Sequence, residues 1–173
     1  MAAEEGGGKR PPDLTYPALK RVPVKINHEA PVQAAAEAEI PAPIDLVWRV
    51  QSEIPRWPEW NPDVGAAEIL GPLSPGTTFK WKAGGMRIIS ELRVVDPPRS
   101  LGWTGRTLGI RAVHIWSFDE TESGTRVRTE ESFEGWLAKL IPGTLRRALA
   151  ASLEKGLEAL SAECRRRQEL EGG

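Results

Sequence analysis

The spacing of apolar residues changes along the chain, and each change predicts an element. An organised region begins near Val32 with a strand. After Pro41, the segment Pro43–Val50 places Ile44, Val47 and Trp48 at helical intervals, which predicts a short helix. From Thr77 to Lys82 the period is two, with Phe79 and Trp81 on one face and Lys80 and Lys82 on the other. Gly84-Gly85 suits a tight hairpin turn, since glycine takes positive φ at no steric cost. In the returning strand Met86, Ile88, Ser90, Leu92 and Val94 share a face, until Asp96-Pro97-Pro98 breaks the run. Three more strands follow, Ser100–Thr107, Ile110–Asp119 and Thr125–Phe133, separated by Gly109 and by the polar turn Glu120–Gly124. Short turns between consecutive strands make an antiparallel meander. From about Leu145 the period becomes helical again: Leu149, Leu153, Leu157, Leu160 and Cys164 form one stripe on a long helix. Gly156 sits beside that stripe, where its missing side chain admits a neighbour or a ligand.

One segment fits neither period. Arg56-Trp57-Pro58-Glu59-Trp60-Asn61-Pro62 carries two tryptophans and two prolines. Proline lacks an N–H and restricts the residue before it, so the segment is expected to be irregular and held by side-chain packing. Trp60 is expected to pack inward and Trp57 to be the more exposed.

Composition narrows the setting. The 173 residues carry a formal net charge of -1, which gives no global basic field for nucleic acid. A single cysteine, Cys164, continues the leucine stripe and reads as a core residue; with only His28 and His114 beside it, a Cys/His zinc site is not expected. Arg165-Arg166-Arg167 reads as a complement to a helix C-terminus. Residues 1–23 are rich in Gly, Pro and charge and are expected to form a disordered tail before a single domain over residues 24–170. No apolar leader and no run of about 18 apolar residues is present, so a cytoplasmic protein without membrane insertion, monomeric or homodimeric, is expected.

A sheet and a long amphipathic helix each have one apolar face to cover, so the helix should lie across the sheet, in an α+β fold. At this point the chain resembles the polyketide cyclase/dehydrase and lipid-transfer superfamily, also called START-like or SRPBCC. The matching pieces run from about Val32 to Gln168. They include Glu39–Pro43 with Val47-Trp48, Trp57–Pro62, Leu73–Thr77, Val95–Leu101, Trp103–Gly105, Val113–Phe118, and Gly124–Val127 leading to Glu130–Ser132. The resemblance implies the helix-grip fold of the birch-pollen allergen: about seven curved antiparallel strands around a long C-terminal helix, with two short helices after the first strand. It also implies a cavity between sheet and helix for a hydrophobic or amphipathic small molecule, and a proline-shaped lid at the cavity mouth formed by the Trp57–Pro62 segment.

Strand alternation then nominates the residues of that cavity. Phe79, Trp81, Ile88, Trp103, Trp116 and Phe118 turn inward, and Ser90, His114, Thr129 and Glu131 share their face. With Trp60 from the lid and Leu153 and Leu157 from the helix, they make apolar walls with sparse polar groups, the composition of a ligand site. The first functional expectation is a non-enzymatic carrier or binding module for a hydrophobic or aromatic, polyketide- or lipid-like molecule, without a cofactor. The alternative is a polyketide cyclase or dehydratase in which His114 and Glu131 act as general acid and base; as structural residues they would simply satisfy each other. An interaction protein is a third class, but it needs an exposed apolar patch, and the pattern shows none.

Overall fold

The computed structural model describes residues 24–172; the expected N-terminal tail lies outside them. Strand β1 (Val32–Ile40) is followed by helix α1 (Ile44–Ser52), a 3-10 turn (Ile54–Arg56) and a single α-turn, α2 (Trp57–Trp60). Six strands come next: β2 (Val64–Ile69), β3 (Thr78–Ala83), β4 (Met86–Asp96), β5 (Ser100–Thr107), β6 (Ile110–Thr121) and β7 (Gly124–Glu134). The chain closes with α3 (Trp136–Leu140) and the 30-residue α4 (Pro142–Glu171). The seven strands form one antiparallel sheet in the order β1-β7-β6-β5-β4-β3-β2. Since β1 joins the far edge of the meander, α4 returns across the concave face with its Leu149, Leu153, Leu157, Leu160 and Cys164 stripe buried. This is the α+β helix-grip architecture.

Three local expectations need correction. The Trp57–Pro62 region is more regular than its prolines suggest. Pro55 and Pro58 each sit second in their short helical turn, where a backbone N–H has no partner to lose. The two tryptophans also exchange roles: Trp57 is 3% exposed and Trp60 only half-buried. Trp57 touches Phe79, Trp81 and Trp103 with ring centroids 5.8, 5.5 and 5.5 Å away, and its indole N–H donates to the Gln51 carbonyl. Finally, β4 bulges at Arg93, so the register steps from Leu92 opposite Trp103 to Val94 opposite Gly102. A bulge flips everything beyond it. Val95 rather than Val94 therefore continues the inner face, opposite buried Leu101.

At the far end α4 begins three residues before Leu145, the start expected from its period, with Pro142 at the first helical position. It also continues to Glu171, so Arg166 and Arg167 are not in its last turn. They converge instead on buried Glu163, at 2.7 Å each, and Arg167 reaches Glu53 beyond α1 at 2.8 Å. The two guanidiniums hold the Glu163 carboxyl below the usual carboxylate range. The cluster fastens the C-terminal half of α4 to the segment that carries Trp57.

Candidate ligand-binding site

The inner face of the sheet is best described in rows running across the strands. One row reads Leu92, Trp103, His114, Glu131, Ala34, and the next reads Val95, Leu101, Trp116, Thr129, Ala36. Apart from Thr129 and the alanines of β1 these are large side chains, and they fill the space under α4 down to Leu157 and Leu160. The neighbouring row on the other side reads Phe79, Ser90, Gly105, Ala112, Phe133, Val32. Its centre is a serine, a glycine and an alanine. Three small residues side by side cannot reach the helix, and a cavity of about 490 Å³ opens there. Its size falls within the roughly 300–1,000 Å³ of small-molecule sites. Trp81, Ile88, Trp103, Ile110, Phe133, Leu145 and Leu149 supply apolar walls, and Ser90 and Glu131 supply polar groups. Met86 stands at the open rim, 46% exposed.

Glu131 also borders a smaller cavity of about 70 Å³, shared with Trp57, Trp60, Trp81, Trp103, His114, Trp116 and Leu153; the Trp57–Pro62 segment lines this space and not the larger cavity, so it is not the lid expected at the mouth. Among the described residues, Trp60 Nε1, Trp116 Nε1, His114 Nδ1 and Gln51 Oε1 lack a hydrogen-bond partner, and all four residues line this space. Unused buried hydrogen-bonding capacity is uncommon and is concentrated here. Gly156 lies on the same wall; a Cβ there would meet Trp116 at 3.8 Å, so the neighbour it admits is an indole.

The expected polar groups do meet. His114 is 6% exposed, sandwiched between Trp103 and Trp116 at 4.7 and 5.5 Å between ring centroids. Its Nε2 lies 2.7 Å from Thr129 Oγ1, and its Nδ1 lies 3.4 Å from Glu131 Oε2 without hydrogen-bond alignment. Burial dominates both titrations. It lowers the His114 pKa to about 3 and raises that of Glu131 to about 8. Near neutral pH the pair is a neutral imidazole beside a neutral carboxylic acid, close enough for an ion pair but too desolvated to form one. Trp81 Nε1–H donates to Ser90 Oγ at 3.0 Å, which orients the indole on the cavity wall.

Of the residues expected at the site, Trp81, Ile88, Ser90, Trp103 and Glu131 face the larger cavity. Trp60, His114, Trp116 and Leu153 face the smaller one. Phe79, Phe118 and Thr129 reach neither wall. Phe79 and Phe118 are fully buried against Trp57 and Trp48, and Thr129 serves His114. Leu157 lies beyond the floor, facing a groove between β1 and α4. The small residues Gly105 and Ala112, the flanking Ile110 and Phe133, and the first turns of α4 were not expected as walls. Pairing Ser90 with Gly105 and Ala112 across the meander was the available signal.

A protein-family model described as polyketide cyclase/dehydrase and lipid transport matches residues 31–165. A Streptomyces cyaneus protein provisionally named a polyketide cyclase is 28% identical over 108 residues, covering 56% of this chain and 69% of its own. Solved structures share the fold. A START superfamily protein from Mycobacterium smegmatis superposes with a TM-score of 0.69 at 14% identity, over 78% of this chain and 97% of that one. The Zhui aromatase/cyclase from Streptomyces sp. R1128 gives 0.68 at 20% identity, over 82% and 98%. The sheet, the helix and the cavity row thus agree with the match across 31–165, and the chain belongs to the polyketide cyclase/dehydrase and lipid-transport family.

Proposed function

We propose that the protein binds a hydrophobic, aromatic or polycyclic molecule, polyketide- or lipid-like, in the cavity between β4–β7 and the first half of α4, as a carrier or binding module. The observation that carries this reading is the 490 Å³ space above Ser90, Gly105 and Ala112, walled by indoles and aliphatic groups. Its most deeply buried ionisable group, Glu131, is uncharged near neutral pH, while the charged Asp63, Arg106 and Lys155 on its walls are more open to solvent, so an uncharged ligand suits its interior. Trp81 and Trp103 line the cavity, and intrinsic fluorescence therefore reports occupancy. Titration with aromatic polyketides, flavonoids, sterols and fatty acids is expected to quench or shift emission for at least one class. No response from any class, with no small molecule retained in native mass spectrometry, overturns the reading.

A second reading, proton transfer, is favoured by one specific feature: a cavity-facing carboxyl that keeps its proton to about pH 8. In a dehydration Glu131 gives that proton to the departing hydroxyl, and the carboxylate so formed takes the proton of the adjacent carbon. His114 Nδ1, 3.4 Å away, faces the carboxylate throughout and acts through it. Glu131→Gln should then abolish turnover of an identified substrate while leaving its binding intact. Turnover that survives both Glu131→Gln and His114→Gln removes this reading and leaves the first untouched.

A further inference from the structure

We infer that the rim of the cavity is a docking surface for a bilayer carrying anionic phospholipid. The rim is built from the β5–β6 turn, α3 and the start of α4, and it exposes large apolar groups together. Leu108 is 76% exposed, Trp136 61% and Leu140 69%, with Ile141 and Met86 also open to solvent. The exposed apolar patch that the sequence pattern did not show is therefore present. Its members are held in one place. The Trp136 ring covers Gly109 so closely that a Cβ on that residue would lie 2.6 Å from the indole. Leu137 N–H donates to the Gly109 carbonyl, and Leu145 N–H to that of Ile141. Leu108 falls between Thr107 and Ile110, and Ile141 lies one turn before Leu145; Thr107, Ile110 and Leu145 all line the cavity. The patch is thus continuous with the cavity wall.

Its charge is one-sided. The full chain balances 23 basic residues against 24 acidic ones. Residues 104–112 and 134–153 hold Arg106, Arg111, Lys139, Arg146 and Arg147 against a single acid, Glu134, which is already engaged by Asn27 and Arg111. Among the described residues no carboxylate lies within ion-pair distance of Lys139, Arg146 or Arg147. Helix N-termini favour acidic side chains, yet the first turn of α4 has none and the next carries two arginines. Arg146 donates to the Pro31 carbonyl at 2.9 Å, and Lys139, after Asn27 and Arg111, helps to hold the Glu134 carboxyl below the usual range, but Arg147 is in no hydrogen bond or ion pair among the described residues. A tryptophan and leucines ringed by cations match the interfacial region of an anionic membrane, where the indole sits at headgroup level and the leucines below it. Docking there turns the cavity mouth toward the acyl region, from which an apolar ligand passes without crossing water. Leu108, Trp136, Lys139, Leu140, Ile141 and Arg147 lie outside the cavity lining, so the docking surface can be tested apart from the binding reading above.

The test is co-sedimentation of the full chain with vesicles of phosphatidylcholine alone and of phosphatidylcholine with phosphatidylglycerol. Binding to the anionic vesicles only, weakening as salt shortens electrostatic reach from about 30 to about 3 Å, is expected. Each of Lys139→Glu and Arg147→Glu should weaken it at least about fivefold, and Trp136→Ser with Leu140→Ser should abolish it. The far-ultraviolet circular dichroism of these variants without vesicles should match that of the parent, which shows that they fold. Failure of the wild-type chain to sediment with anionic vesicles overturns the inference, as does sedimentation indifferent to these substitutions. A patch variant that merely converts a dimer to a monomer, without any vesicle binding by the parent, assigns the surface to a second copy and overturns it too.

Discussion

The two halves of the space between sheet and α4 are built on the same strands and finished in opposite ways. At the Trp57 end, the indole inserts among Phe79, Trp81 and Trp103, and the Glu163–Arg167–Glu53 cluster clamps the helix over it. At the other end, Val32, Ala138, Leu149 and Leu153 form a separate small core, and the row through Ser90, Gly105 and Ala112 leaves a hollow. Strand geometry is continuous across the boundary; only side-chain volume changes. Stability is concentrated where the rows are large, and binding capacity where one row is small. Interiors pack to near-crystalline density, so a hollow of this size is a property the sequence has to specify.

The largest effect should follow from emptying the filled end. Trp57→Ala removes the hub of the ring cluster and is expected to cost about 3–5 kcal/mol, read as a lower urea midpoint. Phe133→Ala, on a half-buried wall of the hollow, should cost clearly less. Equal losses would show that the two ends share the stabilising burden, which breaks the comparison.

Filling the empty end is the converse experiment. Ala112→Phe places a ring in the cavity from a strand position already facing it. Ligand affinity in the fluorescence titration should fall at least about a hundredfold, roughly 3 kcal/mol. Folding stability should hold or rise by about 0.5–2 kcal/mol, since a void is filled. An unchanged affinity would mean that the ligand sits elsewhere.

Glu131 and His114 mark the boundary between the halves, and pH separates their contributions. The folded Glu131 keeps a proton that the unfolded chain releases above 4.5; its stabilisation is complete below 4.5 and drains away up to about 8. Folded His114 refuses a proton that the unfolded chain takes up below 6.5, so its stabilisation is complete above 6.5 and drains away down to about 3. From these two groups the slopes cancel between 4.5 and 6.5, leaving an alkaline arm due to Glu131 and an acid arm due to His114. Glu131→Gln should therefore abolish the fall between pH 6.5 and 8, on the order of 2 kcal/mol in urea denaturation. A fall that persists in this variant assigns the alkaline arm to another group.

Elements with a strong period were legible in the sequence: β3 to β7, α1 and the stripe of α4 follow it closely. What escaped notice lacked such a period or depended on partners. β2, Val64-Gly-Ala-Ala-Glu-Ile69, has too few large apolar groups to alternate visibly, and α3 is only one turn long. The bulge at Arg93 displaced Val94 without any residue that announces it. His114, Thr129 and Glu131 were found because alternation alone fixes a face. The larger cavity was placed only approximately, because it consists of what Gly105 and Ala112 lack, and a missing side chain acquires meaning only once the neighbouring strands are in register. The rim escaped because its apolar residues come from a turn, a one-turn helix and a helix start that meet only in three dimensions.

The smallest effect tests how sharp the boundary between the halves is. Gly156 lies on the α4 wall of the small cavity, and a Cβ there would rest at ordinary contact distance, 3.8 Å, from Trp116. A glycine inside a helix costs about 1 kcal/mol relative to alanine, and no clash offsets the gain. Gly156→Ala should therefore raise the urea midpoint by up to about 1 kcal/mol of stability. If the small cavity is only the packed margin of the filled end, ligand affinity stays as it was. A loss of affinity comparable to that of Ala112→Phe would instead extend the binding site past Glu131 to the Trp57–Pro62 segment, and would make Trp60 and Trp116 ligand contacts rather than packing.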